Sequence, residues 1–511
     1  MFQYPDFPMA LGQHGAENNQ HLPGIAVHEY LKSYADHFNL TPRIRFGVNV
    51  VSAEHQDSGD GGWILTLEEE GQEPSRRQVF AKRLIVASGL TSEPKRASFR
   101  GQEDFGGGVF HGRDFADKED TLDKAHAVTV YGASKFAWDA VHACAAAGAN
   151  VDWVIRYVRA VTWLSPCIWG AEDGHPWIRR FLHGTWLGRL VVKSFWSLLA
   201  YDVLSRGGYD KHPETKKLKP RLDMMYIAAS FSALNYDDDI FEFVRSGQVK
   251  VHIGDIDHLS RNTVHLDDGT SFETQIIFAH TGWHHAPSIK FLPEGIDAQL
   301  GLPHEIGSLK LDGGAELEDV LLAKADQQIV SQFPSLKDRP ACLAAPASSS
   351  QASPSELTPF MLYRGMAPPS ASMLRYRDIA FCGMMSNLVG PMNAHVQSLW
   401  VVAYMTRKLV RDKAAHTADA SAMRALQWEN ILHNRFGKWR YPADWGTKKP
   451  PSVMLDSVPY WDMLLKDMGL DWNRGRGGVL ARLFVPYMPR DYAGIVPEWR
   501  AKFQRIQGEV D

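Results

Sequence analysis

His126-Ala-Val-Thr-Val-Tyr-Gly-Ala-Ser-Lys-Phe-Ala-Trp-Asp139 opens a stretch that runs through alanines to Val151-Asp-Trp-Val-Ile-Arg-Tyr-Val-Arg159. It reads as strand, glycine turn, helix and second strand, the order that opens a dinucleotide-binding βαβ unit. Val128 and Val130 supply a short buried strand. Gly132 permits the tight turn, and Ala137 is the small third residue that lets helix and sheet pack closely. Ser134 takes the middle position, where glycine is usual, and offers a hydroxyl to phosphates. A pyrophosphate fits the N–H groups at such a helix start, because the helix dipole favours anions there. After the second strand, where NAD-specific proteins place an acid on the ribose, this chain has Arg156, with Arg159 close behind. A cation there suits the 2′-phosphate of NADP.

Working outward, one pattern occurs twice. Arg43–Ser52, Gly62–Glu69 and Gln78–Ala87 read as strands, the last ending in Leu-Ile-Val-Ala-Ser-Gly at 84–89. Val249–Ile253 is a strand, Asn262–Phe272 a hairpin around Asp268-Gly269, and Ile276–Gly282 a buried strand closing on small residues. Each is a β-meander returning to a parallel sheet, so two dinucleotide domains are expected. Residues 1–25 hold Pro5, Pro8, Gly12, Gly15 and Pro23 without a strand–glycine–helix order.

At 511 residues the chain exceeds what one core usually holds. Its net charge of −4 argues against nucleic acid or an anionic membrane as the main partner. Four cysteines, Cys144, Cys167, Cys342 and Cys382, never form C-x-x-C, so neither a disulfide framework, a zinc site nor a dithiol redox centre is expected. A reducing, cytoplasmic setting is the simplest reading. The most apolar run, Leu187–Leu204, carries Arg189 and Lys193 and falls short of the ~20 residues a membrane span needs. It reads as a buried or amphipathic helix. Six of the sixteen tryptophans lie in residues 153–196, as core packing or as a lid over an apolar substrate. Residues 345–356 form a low-complexity surface loop. His280, His284 and His285 cluster at one turn, but two are adjacent, which disfavours a single metal ion.

Phe105-x-Gly107-x-x-x-His111-x-x-x-Phe115 resembles the signature of the flavin-containing monooxygenases. Ala87-Ser88-Gly89 and Phe278-Ala279-His280-Thr281-Gly282-Trp283 resemble that family's two A-T-G motifs, the second with one residue inserted. Ile379-Ala-Phe-Cys-Gly383 and Gln397-Ser-Leu-Trp400 resemble its return to the flavin. The tail, with Leu455-Asp456-Ser-Val-Pro-Tyr460 and Asp491-Tyr492-Ala-Gly-Ile-Val-Pro-Glu-Trp499, is similar to extensions in fungal members.

The resemblance implies an α/β fold of two Rossmann-like domains, the NADP domain inserted in the FAD domain, plus a mixed C-terminal extension. The expected boundaries are 1–115, 116–275, 276–410 and 411–511. It implies FAD and NADP as cofactors, with molecular oxygen and a small apolar metabolite as substrates. Oxygenation of nitrogen, sulfur or a carbonyl through a flavin C4a-hydroperoxide stays open, although the Trp-Pro ending of Baeyer–Villiger relatives is absent after Phe115. Gly132, Ser134, Ala137 and Arg156 would hold NADPH. Val50 would meet the FAD adenine, Gly89, Thr281 and Gly282 would line the domain crossovers, and Gln397 would face the flavin. No catalytic side chain is singled out, and His111 reads as a latch between domains. Phe2-Gln-Tyr-Pro-Asp-Phe-Pro8 matches the middle of the family's first domain, so the FAD fingerprint would precede Met1. The sequence is then a truncated one, or the protein is a non-catalytic NADP-binding remnant.

Overall fold

The computed structural model describes residues 3–9, 22–69, 76–118, 125–132, 135–154, 164–170, 176–219, 224–226, 236, 239–304, 314–339, 358–387, 389–441, 451–474 and 487–508. Four strands come first: β1 (Val48–His55), β2 (Trp63–Glu69), β3 (Arg77–Ala81) and β4 (Leu84–Val86). β1, β2 and β3 form an antiparallel meander. β1 starts later than the pattern at 43–52 suggests, because Thr41–Arg43 closes a 3-10 turn around Pro42 and Gly47 is left-handed. The expected single strand at 78–87 is two, since β3 stays in the meander while β4 leaves it.

β5 (Glu93–Pro94) leads to β6 (Gly108–His111), and the chain enters a different sheet. β7 (Ala127–Tyr131), β8 (Asn150–Val154), β9 (Val249–His252) and β13 (Ile276–Ala279) join β6 there, in the order β6-β13-β7-β8-β9. Every neighbouring pair is parallel. Val128, Thr129 and Val130 are wholly buried, as expected of a strand covered on both faces. The helix Lys135–Ala146 crosses from β7 to β8 and buries Ala137, Trp138, Ala140, Val141, Cys144 and Ala145. Trp138 meets Trp153 of β8 edge-on at 4.5 Å, a favourable aromatic geometry.

Between β9 and β13 lies a small meander of β10 (Ile256–Ser260), β11 (Thr263–Leu266) and β12 (Ser271–Glu273). After β13, β14 (Trp283–His284) runs antiparallel to β5, β15 (Lys290–Leu292) pairs parallel with β1, and β16 (Ile379–Phe381) pairs parallel with β4. The strands flanking the five-stranded sheet therefore pair with each other, so that sheet is an insertion in the first domain. The α/β class read from the sequence is the observed one. The inserted sheet takes in both β6 and β13, so it reaches past 116–275 at either end. A buried contact registers β16 against the meander: His55 Nε2 lies 3.1 Å from Asp378 Oδ2, which also accepts from the Gly62 amide at 2.8 Å.

The tail is no appendage. One core joins Trp169, Val192 and Trp196 of the tryptophan-rich segment to Val396 and Trp400 of the helix Gly390–Met405. It continues through Leu426 and Phe436 of Ala420–Arg440, Leu464 of Ser457–Asp467 and Trp499 of Ile495–Gly508. Asp456 is fixed by Ser165 Oγ (3.1 Å) and Tyr441 OH (2.6 Å). That accounts for the Leu-Asp-Ser-Val-Pro-Tyr motif as packing.

Candidate functional site

The order of the inserted sheet locates a site. From β7 the chain moves outward through β8 and β9, then returns to β13 on the other side of β7. β7 and β13 thus flank a topological switch point, and ligands of open α/β sheets bind beyond the carboxyl ends of such strands. Gly132 ends β7 with φ of +139°, and a Cβ there would lie 2.8 Å from His280 Cβ and 2.9 Å from its carbonyl oxygen. The bare backbone is what allows β7 and β13 to turn side by side. Trp153 Nε1 donates to the Gly132 carbonyl at 3.0 Å, and Ala137 is wholly buried in the next helical turn. Ser134 and Arg156 lie outside the described residues.

β13 ends in His280, Thr281, Gly282 and Trp283. The His280 amide donates to Tyr131 O at 2.7 Å, and its Nε2 is buried without a hydrogen-bond partner among the described residues. Burial, with the nearby His111, pushes its pKa down to about 4, so the ring is neutral. The ring lies against Gly112, where a Cβ would come within 2.2 Å of Nδ1. Thr281 Oγ1 donates to the Lys95 carbonyl, and the Lys95 amide donates to Gly282 O at 3.0 Å. With β5 and β14, these bonds lash the two crossover segments together.

His111 is the latch. Its Nδ1 accepts from the Arg113 amide at 3.1 Å, so Nε2 carries the proton donated to Gly282 O at 3.0 Å. The ring stands edge-on to Trp283 at 5.1 Å. Both nitrogens are committed to the backbone, which leaves none for proton transfer.

On the other side of the crossovers, Gly89 follows β4 and Gly383 follows β16, both left-handed, with nothing among the described residues within 4 Å of where a Cβ would project. Gly282 has the same property. Open backbone beyond the carboxyl ends of parallel strands is the cradle a flat cofactor and its phosphates require. The helix Gly390–Met405 follows β16 with Pro391 in its first turn and no side-chain cap.

Two of the expected positions differ from the sequence reading. Gln397 is fully buried: its Oε1 accepts from the Gly383 amide (3.1 Å) and its Nε2 donates to Tyr460 OH (3.0 Å). It holds the turn after β16 instead of presenting its amide to a ligand. Val50 lies inside β1, not at its end, beside a bulge between Val50 and Ser52. Lys135 escaped the sequence reading. It places a cation in the first turn of the helix after Gly132, ion-paired with Asp139, which also accepts from Tyr236 OH at 2.8 Å. A lysine inside the fingerprint was the available signal.

The profile of the flavin-binding monooxygenase-like family matches residues 1–299. The chain belongs to that family. FAD is its cofactor, and its relatives extend the likeness over nearly the whole chain. An FAD-dependent monooxygenase, resA, of Aspergillus sclerotiorum is 30% identical, covering 99% of this chain and 89% of its own. One of Pyrenophora dematioidea is also 30% identical, over 94% and 89%. Among solved structures, S-allyl-L-cysteine S-oxygenase of Allium sativum is similar over 99% of this chain and 82% of its own, at 13% identity and a TM-score of 0.48. The match of 1–299 takes in β1–β15, and so both crossovers and the whole inserted sheet of this flavin-binding monooxygenase-like chain.

Proposed function

We propose that this chain is an NADPH- and oxygen-dependent flavoprotein monooxygenase acting on a small apolar metabolite. The observation that carries the reading is the switch point between β7 and β13, with Gly132 and the 280–283 turn facing one another inside a flavin-binding family. FAD, when bound, would supply the redox and oxygen-activating chemistry of the reaction.

The protein's own residues bind and orient. Gly132, Ser134 and the helix beginning at Lys135 receive the NADPH pyrophosphate, Ala137 lets that helix approach the sheet, and Arg156 pairs with the 2′-phosphate. Thr281 and Gly282 fix the crossover beside the nicotinamide half, with His111 latching it. Gly89 and Gly383 leave room for the flavin, Gln397 acts through Gly383, and the bulged backbone at Val50 meets the adenine. No side chain is required as a general acid or base, consistent with His111 and His280 being held neutral or fully engaged.

The test is cofactor content. The chain is purified and denatured, and the supernatant spectrum is recorded beside NADPH-dependent oxygen uptake by the native protein. Stoichiometric FAD with uptake supports the reading. A folded, colourless protein that binds NADPH but consumes no oxygen overturns it in favour of an NADP-binding remnant.

A further inference from the structure

The helices Pro176–Gly184 and Trp186–Gly207 form a hairpin. The chain turns so tightly at Thr185 that a Cβ on Gly188 would lie 2.1 Å from Phe181 O. Thr185 caps the second helix by accepting from the Gly188 amide at 3.0 Å. Val192 and Trp196 face the core.

At ~100° of turn per residue, Trp186, Leu187, Leu190, Val191, Leu198 and Tyr201 all fall on the opposite, outward arc. That arc should be polar on a helix whose other face is already buried. Here it is open and largely apolar, with only Ser194 and Ser197 as polar interruptions between Trp186 and Tyr201: Trp186 is 73% exposed, Leu198 69% and Tyr201 73%. Trp177 (64% exposed) and Phe181 extend the patch onto the first helix. The sequence alone reads here as a buried or amphipathic helix.

The charge around the patch has one sign. Arg180 and Lys193, both exposed, and half-buried Arg189 border it against the single acid of the two helices, Asp202, in a chain whose net charge is −4. Exposed tryptophan, leucine and tyrosine flanked by cations is the composition of a helix lying in a membrane interface, its apolar face in the headgroup–acyl boundary and its cations on anionic lipid. No helix among the described residues is long and apolar enough to cross a membrane. A second copy of the chain would leave these cations without the counter-charge that an anionic bilayer supplies.

The geometry points to a peripheral membrane site: the 176–207 hairpin docks on the surface of an anionic bilayer. This stands apart from the cofactor reading and survives its failure. The test is co-sedimentation of the full chain with phosphatidylcholine vesicles and with vesicles about one third phosphatidylserine. The wild type pellets with the anionic vesicles and is released by high salt. Leu190→Glu with Leu198→Glu, both outward and clear of the core, reduces binding at least about tenfold while the melting temperature holds, since charges in the apolar face oppose insertion. Arg180→Glu with Lys193→Glu weakens binding to anionic vesicles selectively. Equal binding to both vesicle types, or none to either, overturns the proposal. So does a dimer that the paired glutamates dissociate without any lipid binding.

Discussion

Gly132 occupies a backbone region that L-residues rarely enter, and its missing Cβ is what lets the turn after β7 lie against His280. Gly132→Ala therefore meets two obstacles, a strained φ and a carbonyl oxygen that belongs to the backbone of β13 and cannot rotate away. A loss of about 1–3 kcal/mol is expected for such strain, together with an NADPH dissociation constant raised at least about tenfold. Thermal melts and a fluorescence titration read the two effects, and wild-type NADPH affinity in the variant would remove the turn from the site. Arg156→Ala addresses the other end of the cofactor. Losing a hydrogen bond to a charged group costs about 1.5–3 kcal/mol, so KM for NADPH should rise about tenfold or more with KM for NADH unchanged. Equal rises for both coenzymes would rule out the 2′-phosphate role.

Elements far apart in sequence are joined through Arg364, whose Nε donates to Asp467 Oδ2 at 2.8 Å and whose Nη1 donates to Glu429 Oε1 at 3.0 Å. Trp400 Nε1 also donates to Asp467, at 3.2 Å. One guanidinium thus ties the helices 420–440 and 457–467 to the segment preceding β16. Arg364→Met leaves the buried Asp467 carboxylate without its cation, while Glu429 keeps Lys413 at 2.8 Å, and removing one partner of a buried pair typically costs about 3–5 kcal/mol. Urea unfolding should show it, and a loss under about 1 kcal/mol would mean water already reaches the network. This network also marks where sequence reading stopped. The β7–helix–β8 unit was legible because its valines, glycine and alanines act within thirty residues of each other. So were the small-residue turns closing β4 and β13. The start of β1 was misjudged because Pro42 and Gly47 outweigh the apolar residues between them. The division of 78–87 into two strands depends on β16, nearly three hundred residues away. Likewise Gln397 looked like a flavin-side residue until Gly383 and Tyr460 were seen to use both ends of its amide. The tail looked like an extension because its partners, Ser165, Arg364 and Trp400, lie in other segments.

The molecule as a whole buries histidines that it keeps neutral, and this sets its acid stability. His183, 1% exposed on the helix 176–184, stands edge-on to Phe333 at 5.6 Å, and neither ring nitrogen has a hydrogen-bond partner among the described residues. Burial, reinforced by Arg179 and Arg440, pushes its pKa from 6.5 down to about 3. The folded state therefore disfavours the proton that the unfolded chain accepts. The His183 contribution is fully present above pH 6.5 and is lost as pH falls from there toward 3. His280 and His433, each lowered by burial to about 4, act in the same direction. Glu429 enters lower down. Burial, the largest single influence, raises its pKa, but Arg364, His433 and Lys413 together outweigh burial and set it at about 2, so its share is lost only below its ordinary 4.5. Burial also raises the pKa values of Asp297 and Asp467, so the His183 share is isolated by comparing a His183 variant with the wild type from pH 7 to pH 5. His183→Leu, close in volume and unable to take a proton, should shrink the stability difference across that interval by about 2 kcal/mol. Denaturant unfolding of both proteins at the two pH values measures this directly. An unchanged difference would show that solvent reaches the ring in the folded protein, and the packing of the hairpin against the core would have to be redrawn.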